Sequence, residues 1–197
     1  MKILYIRMPK CGSSSIVKYF EDIETTGGLA EGYWNNENKD HVNFNSNRPI
    51  YKSLDLNKFD FSFSSIRNPW ARVVSAYHKG GWESKRAEYP TFISCVNAIR
   101  EDSISCPASK WHVTPLCRHL VRDGELIVNH LIRIENIQED FDTLCDKIGI
   151  PHQQLPHKNK SKHKHYTEYY NDETREIVAQ KYARDIEYFG YKFGGEQ

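Results

Sequence analysis

The chain is 197 residues long, 39% hydrophobic and 13% aromatic, which supplies one substantial core and leaves no room for a second catalytic domain, so a single domain over residues 1–197 is expected. Lys and Arg number 27 against 26 Asp and Glu, and a net charge of +1 excludes a generally basic nucleic-acid-binding surface, so any basic function is local. Five Cys in an odd count without CxxC spacing exclude a fully paired disulfide framework; reduced thiols are expected, with a Cys106–Cys117 pair left open. No apolar run approaches the about 18 residues of a membrane span. Met1-Lys2 leads straight into Ile3 and Arg7 breaks the run, so the chain reads as soluble and cytoplasmic.

From the amino end, Ile3 to Arg7 reads as a buried strand, followed by the turn Met8-Pro9-Lys10-Cys11-Gly12 and a helix over 14–22 that Ser13 can cap. A helix start leaves about four backbone N–H groups without intrahelical partners and carries roughly half a positive charge, so it attracts phosphate or sulfate. Gly12 lets the backbone approach an anion, Ser14 and Ser15 add donors, and Lys10 adds a point charge. A Walker A loop is excluded, because its Lys follows its second Gly whereas Lys10 precedes Gly12. The plainer alternative is an ordinary capped helix after a strand.

A loop-rich region follows, with a short alternating strand at 41–44. Strand, basic turn and helix then recur: alternation over 60–66 predicts a strand, Arg67 stands at its carboxyl end, and Asn68-Pro69 is a cap and first-turn pair for a helix over 70–79 that carries Arg72 and Ser75. Arg72 reads either as a site residue or as part of a solvated helix face. A helix over 91–100 capped by Thr91, a buried strand over 127–134, an amphipathic helix over 137–148 ending at Gly149, and a helix over 173–188 complete the pattern. Residues 157–165 hold four Lys and three His, either a solvated loop or a basic lid; cationic neighbours disfavour a metal on His157, His163 and His165. Strands alternating with helices predict an α/β fold, a P-loop-like three-layer sandwich with a central, mainly parallel sheet flanked by helices and ligands at the strand carboxyl ends.

Three of these segments carry a family likeness. Pro9-Lys10-Cys11-Gly12-Ser13-Ser14-Ser15 resembles the 5′-phosphosulfate loop of sulfotransferases that use 3′-phosphoadenosine 5′-phosphosulfate (PAPS). Arg67-Asn68-Pro69 with Ser75-Ala76-Tyr77 resembles their 3′-phosphate site, usually Arg-Asp-Pro, with Asn68 a departure. Asp40-His41-Val42-Asn43-Phe44 resembles the His-Val-x-Phe strand of uronyl 2-O-sulfotransferases. The order of later blocks, through Lys110-Trp111-His112, Leu131 to Phe141, Leu155 to Ser161 and Tyr182 to Tyr191, is similar to that of Golgi chondroitin, dermatan and HNK-1 enzymes.

The resemblance implies a PAPS-dependent O-sulfotransferase. It implies that Pro9, Lys10, Cys11, Gly12 and Ser13 to Ser15 seat the phosphosulfate, that Arg67 and Ser75 hold the 3′-phosphate, and that Lys158, Lys160 and Ser161 lie in a lid nearest the phosphosulfate. It makes His41 the base that deprotonates the acceptor, with His78 and His112 as fallbacks, and Lys10 the group that neutralises the departing phosphate. Neutral imidazole suits that proton transfer near neutral pH. The acceptor is a carbohydrate or other small hydroxyl compound, no metal is called for, and no nucleic acid or membrane partner is expected. Such relatives carry an amino-terminal Golgi anchor, so a microbial or viral cytoplasmic form and a trimmed Golgi domain both stay open. A P-loop-like nucleotide kinase and a catalytically silent PAP- or glycan-binding module remain the rival functions, and the oligomeric state is not legible.

Overall fold

Four strands build the sheet, in the order β2 (Trp34–Asn35), β1 (Ile3–Ile6), β3 (Phe61–Ile66), β6 (His130–Arg133), and every neighbouring pair is parallel. The computed structural model describes residues 2–25, 34–35, 56–78, 89–155 and 164–195. Two compact units divide the chain, one of Met1–Ile66 with His119–Lys160 and the other of Arg67–Arg118 with Ser161–Gln197.

In the first unit, β1 is buried at all four positions, as a central parallel strand requires. Ile3, Tyr5, Phe63 and Ile132 join Ile16, Val17, Tyr19 and Phe20 of α1 (Ser13–Thr25) and Phe141, Leu144, Cys145 and Ile148 of α6 (Ile137–Ile148) in one core. The Tyr5 ring stacks on Phe63 at 4.6 Å and its hydroxyl meets Ser65 Oγ at 2.8 Å. Burial pushes the Tyr5 phenol well above the usual tyrosine range. Leu4 and Ile6, pointing to the opposite face, are equally buried, so the sheet is covered on both sides. The α/β class with a parallel sheet flanked by helices is therefore as the sequence predicts.

The expected strand over 127–134 is shorter and differently placed. Val121–Arg122 (β4) and Glu125–Leu126 (β5) pair antiparallel across Asp123 (φ 52°) and Gly124 (φ 88°). An Asp-Gly pair with both φ positive is the preferred two-residue hairpin turn, so this signal was present in the sequence. Ile127 N–H then closes onto the Leu120 carbonyl at 2.9 Å, and Asn129 Oδ1 accepts from the Ser62 N–H at 2.8 Å, so ladder pairing to β3 starts only at His130. Ile134–Asn136 turns as a 3₁₀ segment straight into α6, which ends at Gly149 (φ 72°) as expected.

The second unit is helical: α2 (Pro69–Tyr77), α3 (Phe92–Glu101), α4 (Pro107–Val113), a 3₁₀ turn at Tyr166–Tyr169, α7 (Asp172–Lys181) and α8 (Ala183–Phe189), with the short α5 (Cys117–Leu120) at the boundary. Trp70, Val73 and Val74 of α2 share a core with Phe92, Cys95, Val96 and Ile99 of α3 and with Ile177 and Val178 of α7. Thr91 caps α3 in a reciprocal box with Ser94, both bonds 3.1 Å. The single helix expected over 173–188 is instead two, broken at Tyr182 (φ −111°, ψ 20°). The break serves two buried groups: the Tyr182 hydroxyl donates to the Val113 carbonyl, and the Asp185 carboxylate accepts from Leu116 N–H at 2.7 Å and Cys117 N–H at 2.8 Å. Asp185, 0% exposed, thereby satisfies the amides that open α5.

Candidate active site

The turn after β1 has an unusual backbone. Lys10 (φ 67°) and Gly12 (φ 70°) both sit in the left-handed region, and the Ser15 N–H reaches back to the Gly12 carbonyl at 3.1 Å. Gly12 thus holds the position before the helix, and Ser13, expected there as a cap, is the first helical residue. Gly12 is needed for packing as well as for φ: a Cβ there would fall inside van der Waals contact of Ile134 Cδ1 and 3.0 Å from Ile137 Cδ1. Cys11 is buried and its thiol donates to the Pro9 carbonyl at 3.4 Å, so it ties the turn together.

No acidic residue lies in the first turn of α1, so nothing there opposes an anion at the positive end of the helix. Successive helical positions are about 100° apart, so the three hydroxyls fan out. Ser14 is exposed, Ser13 intermediate and Ser15 8% exposed. The backbone N–H groups, which run along the axis, are the donors that this turn aims in one direction.

The turn before α2 is organised differently. Asn68 Oδ1 already accepts from Trp70 N–H at 3.1 Å and Ala71 N–H at 3.4 Å. These amides are spoken for, so an anion here depends on side chains: half-buried Arg67 before the cap and Ser75, 6% exposed, two turns on. The departure to Asn has a structural counterpart, because Asn68 Nδ2 donates to the Lys192 carbonyl at 3.0 Å, which an ionised Asp cannot do. Arg72 is not on a solvated face. It is 1% exposed, and its Nη2 donates to the Thr114 carbonyl at 2.6 Å.

His41, Lys158, Lys160 and Ser161 lie outside the described residues. His78, a fallback base, closes α2 and packs edge-on against Tyr77 and Tyr169, both centroids at 5.1 Å; His112 is half-buried in α4. None of the five Cys is in a disulfide, and burial pushes the Cys95 thiol up to about 12 and Cys145 up to about 11. Among the described residues no helix is long and apolar enough to cross a membrane and no group of three or more His, Cys, Asp or Glu could hold a metal ion.

Sequence reasoning missed three polar features: the Asp185 carboxylate, the Asn68–Lys192 link, and His130. The His130 ring on β6 bridges the Asp140 carbonyl (Nε2, 3.0 Å) and Lys147 Nζ (Nδ1, 3.1 Å), and burial first, then the Lys147 charge, hold its pKa below the ordinary histidine value.

A parallel α/β sheet whose first strand runs through a left-handed, glycine-closed turn into a helix start belongs to the open α/β architectures, in which ligand sites lie at the strand carboxyl ends. The model of the sulfotransferase family matches residues 1–192, through both units, and the chain belongs to that family. Among curated proteins and among solved structures none matches the chain. Its activity is sulfuryl transfer.

Proposed function

We propose that the chain transfers the sulfuryl group of PAPS to a hydroxyl of a carbohydrate or related small acceptor, releasing PAP and a sulfate ester. The observation that carries the reading is the Lys10–Gly12 turn, two left-handed residues leading into the unacidic first turn of α1, within a chain that matches the sulfotransferase family from 1 to 192. In this reading Pro9 to Ser15 seat the 5′-phosphosulfate, Lys10 neutralises the phosphate as it leaves, and Arg67 with Ser75 holds the 3′-phosphate. His41 takes the acceptor proton, and Lys158, Lys160 and Ser161 cover the donor. The acceptor oxygen forms its bond to sulfur as the bridging S–O bond breaks in line, so positioning and charge stabilisation carry the catalysis and the step calls for no magnesium.

Calorimetry with PAP and with adenosine 5′-phosphosulfate, which lacks the 3′-phosphate, tests the assignment. Losing a charged hydrogen-bond partner costs about 1.5–3 kcal/mol. Arg67→Ala is expected to weaken PAP by roughly ten- to a hundredfold and to leave adenosine 5′-phosphosulfate nearly unchanged. Equal losses for the two ligands refute the 3′-phosphate site; wild-type protein that binds neither refutes the donor.

A further inference from the structure

Residues 191–195 run along the start of α2 and the Tyr166–Tyr169 turn and are fastened at three points. The Lys192 carbonyl accepts from Asn68 Nδ2 at 3.0 Å, and the Gly194 N–H donates to the Tyr166 hydroxyl at 2.8 Å. Between those bonds the Phe193 ring meets Trp70, Tyr166 and Tyr170 edge-on, with centroids 5.5, 5.7 and 5.5 Å away, under the Arg175 guanidinium at 5.6 Å. The partners are themselves tied to one another: Tyr170 OH donates to the Trp70 carbonyl at 2.9 Å and Trp70 Nε1 to the Arg175 carbonyl at 3.1 Å. Asn68, 3% exposed, is the joint, one end of its amide on the helix amides and the other on this segment.

Arg67 is the residue immediately before that joint. A guanidinium selects phosphate through a fixed fork of donors, so its strength depends on where the backbone aims it. We propose that residues 191–195 form a positioning strap for Arg67, with Phe193 as its anchor and Asn68 as its link, so that docking of the strap sets the orientation in which Arg67 meets its anion. The inference rests on the reading of Arg67 as the 3′-phosphate residue and adds a specificity element remote in sequence. Because the two events are linked, an anion held by Arg67 tightens the strap to the same degree that the strap tightens the anion.

Phe193→Ala in the full chain is expected to weaken PAP three- to tenfold while leaving adenosine 5′-phosphosulfate unchanged, and Phe193→Leu to recover most of the loss. In an Arg67→Ala background Phe193→Ala is expected to cost nothing more, since its effect passes through Arg67; a merely structural role gives an additional loss for both ligands. Asn68→Ser, which keeps a capping oxygen and loses the donor to Lys192, reproduces the Phe193→Ala pattern without touching the aromatic cluster and guards against a variant that fails to fold. Saturating PAP is expected to slow hydrogen exchange at the Gly194 amide in wild type and not in Asn68→Ser. PAP binding through Arg67 with Phe193→Ala and Asn68→Ser both like wild type overturns the strap alone. Wild-type protein that does not bind PAP overturns the donor reading and the strap together.

Discussion

Gly12→Ala separates the two demands on the glycine that closes the turn after β1. At φ 70° an L-residue carries a left-handed penalty of about 1–2 kcal/mol. The new methyl also falls onto Ile134 Cδ1 and sits 3.0 Å from Ile137 Cδ1, an overpacking that typically costs about 1–3 kcal/mol. Against these stands the lower entropy of an unfolded chain with Ala in place of Gly, about 0.4–1 kcal/mol in its favour. The expected net loss is about 1–5 kcal/mol, read as a shift in the urea midpoint at constant slope. Because the atom in the way is the end of a side chain, Ile134→Val removes it, and the double variant should recover most of the steric share of about 1–3 kcal/mol while the Ile137 contact and the backbone share persist. Gly12→Ala no less stable than wild type, or no recovery with Ile134→Val, refutes the close approach of Ile134 to the loop.

Lys10→Gly is expected to act with opposite signs on two readouts: it relieves a left-handed residue and raises stability by up to about 1 kcal/mol in urea unfolding, while sulfuryl transfer falls at least a hundredfold with the loss of the cation on the leaving phosphate. His41→Ala is expected to keep PAP affinity within about threefold by calorimetry and to lower turnover by roughly a hundred- to ten-thousandfold, flattening the acidic limb of the pH–rate profile. For His130, whose folded pKa lies below the ordinary value of about 6.5, the unfolded chain binds more protons in the window just under that value. Its contribution to stability is therefore complete above about pH 6.5 and is lost as pH falls, and His130→Gln should reduce the slope of unfolding free energy against pH in that window; an unchanged slope refutes the neutral, Lys147-facing imidazole.

What the sequence made legible follows the range of the interaction that decides each feature. Thr91 before α3, Gly149 after α6, Asn68 with Pro69 before α2, and a strand at β3 are settled within a few residues, and the structure has them as expected, although β3 is buried on both faces and its alternation does not mark a solvent side. The Asp123-Gly124 hairpin is equally local, but the apolar run after it reads as a longer strand and masks it. The break at Tyr182 has no local signal: the 3.6-residue pattern passes through it, and only the Val113 carbonyl and the Leu116 and Cys117 amides, some 69 positions away, explain it. Gly12 is legible as a turn residue, whereas its role as a seat for Ile134 depends on β6 delivering the next segment beside it.

Asn68 divides along the same line within one side chain. Its Oδ1 serves the helix it begins, and residue type and spacing alone give that role, since Asn and Asp cap equally well. Its Nδ2 serves Lys192, 124 positions later, and nothing near residue 68 announces the partner. That second bond is the one an ionised Asp cannot make, so a difference from the usual Arg-Asp-Pro pattern that is neutral as a cap becomes specific once the chain has folded. Asn68→Asp therefore isolates the tertiary half of the residue: α2 stays capped, the donor to Lys192 is lost, and an acceptor faces an acceptor where a hydrogen bond had been.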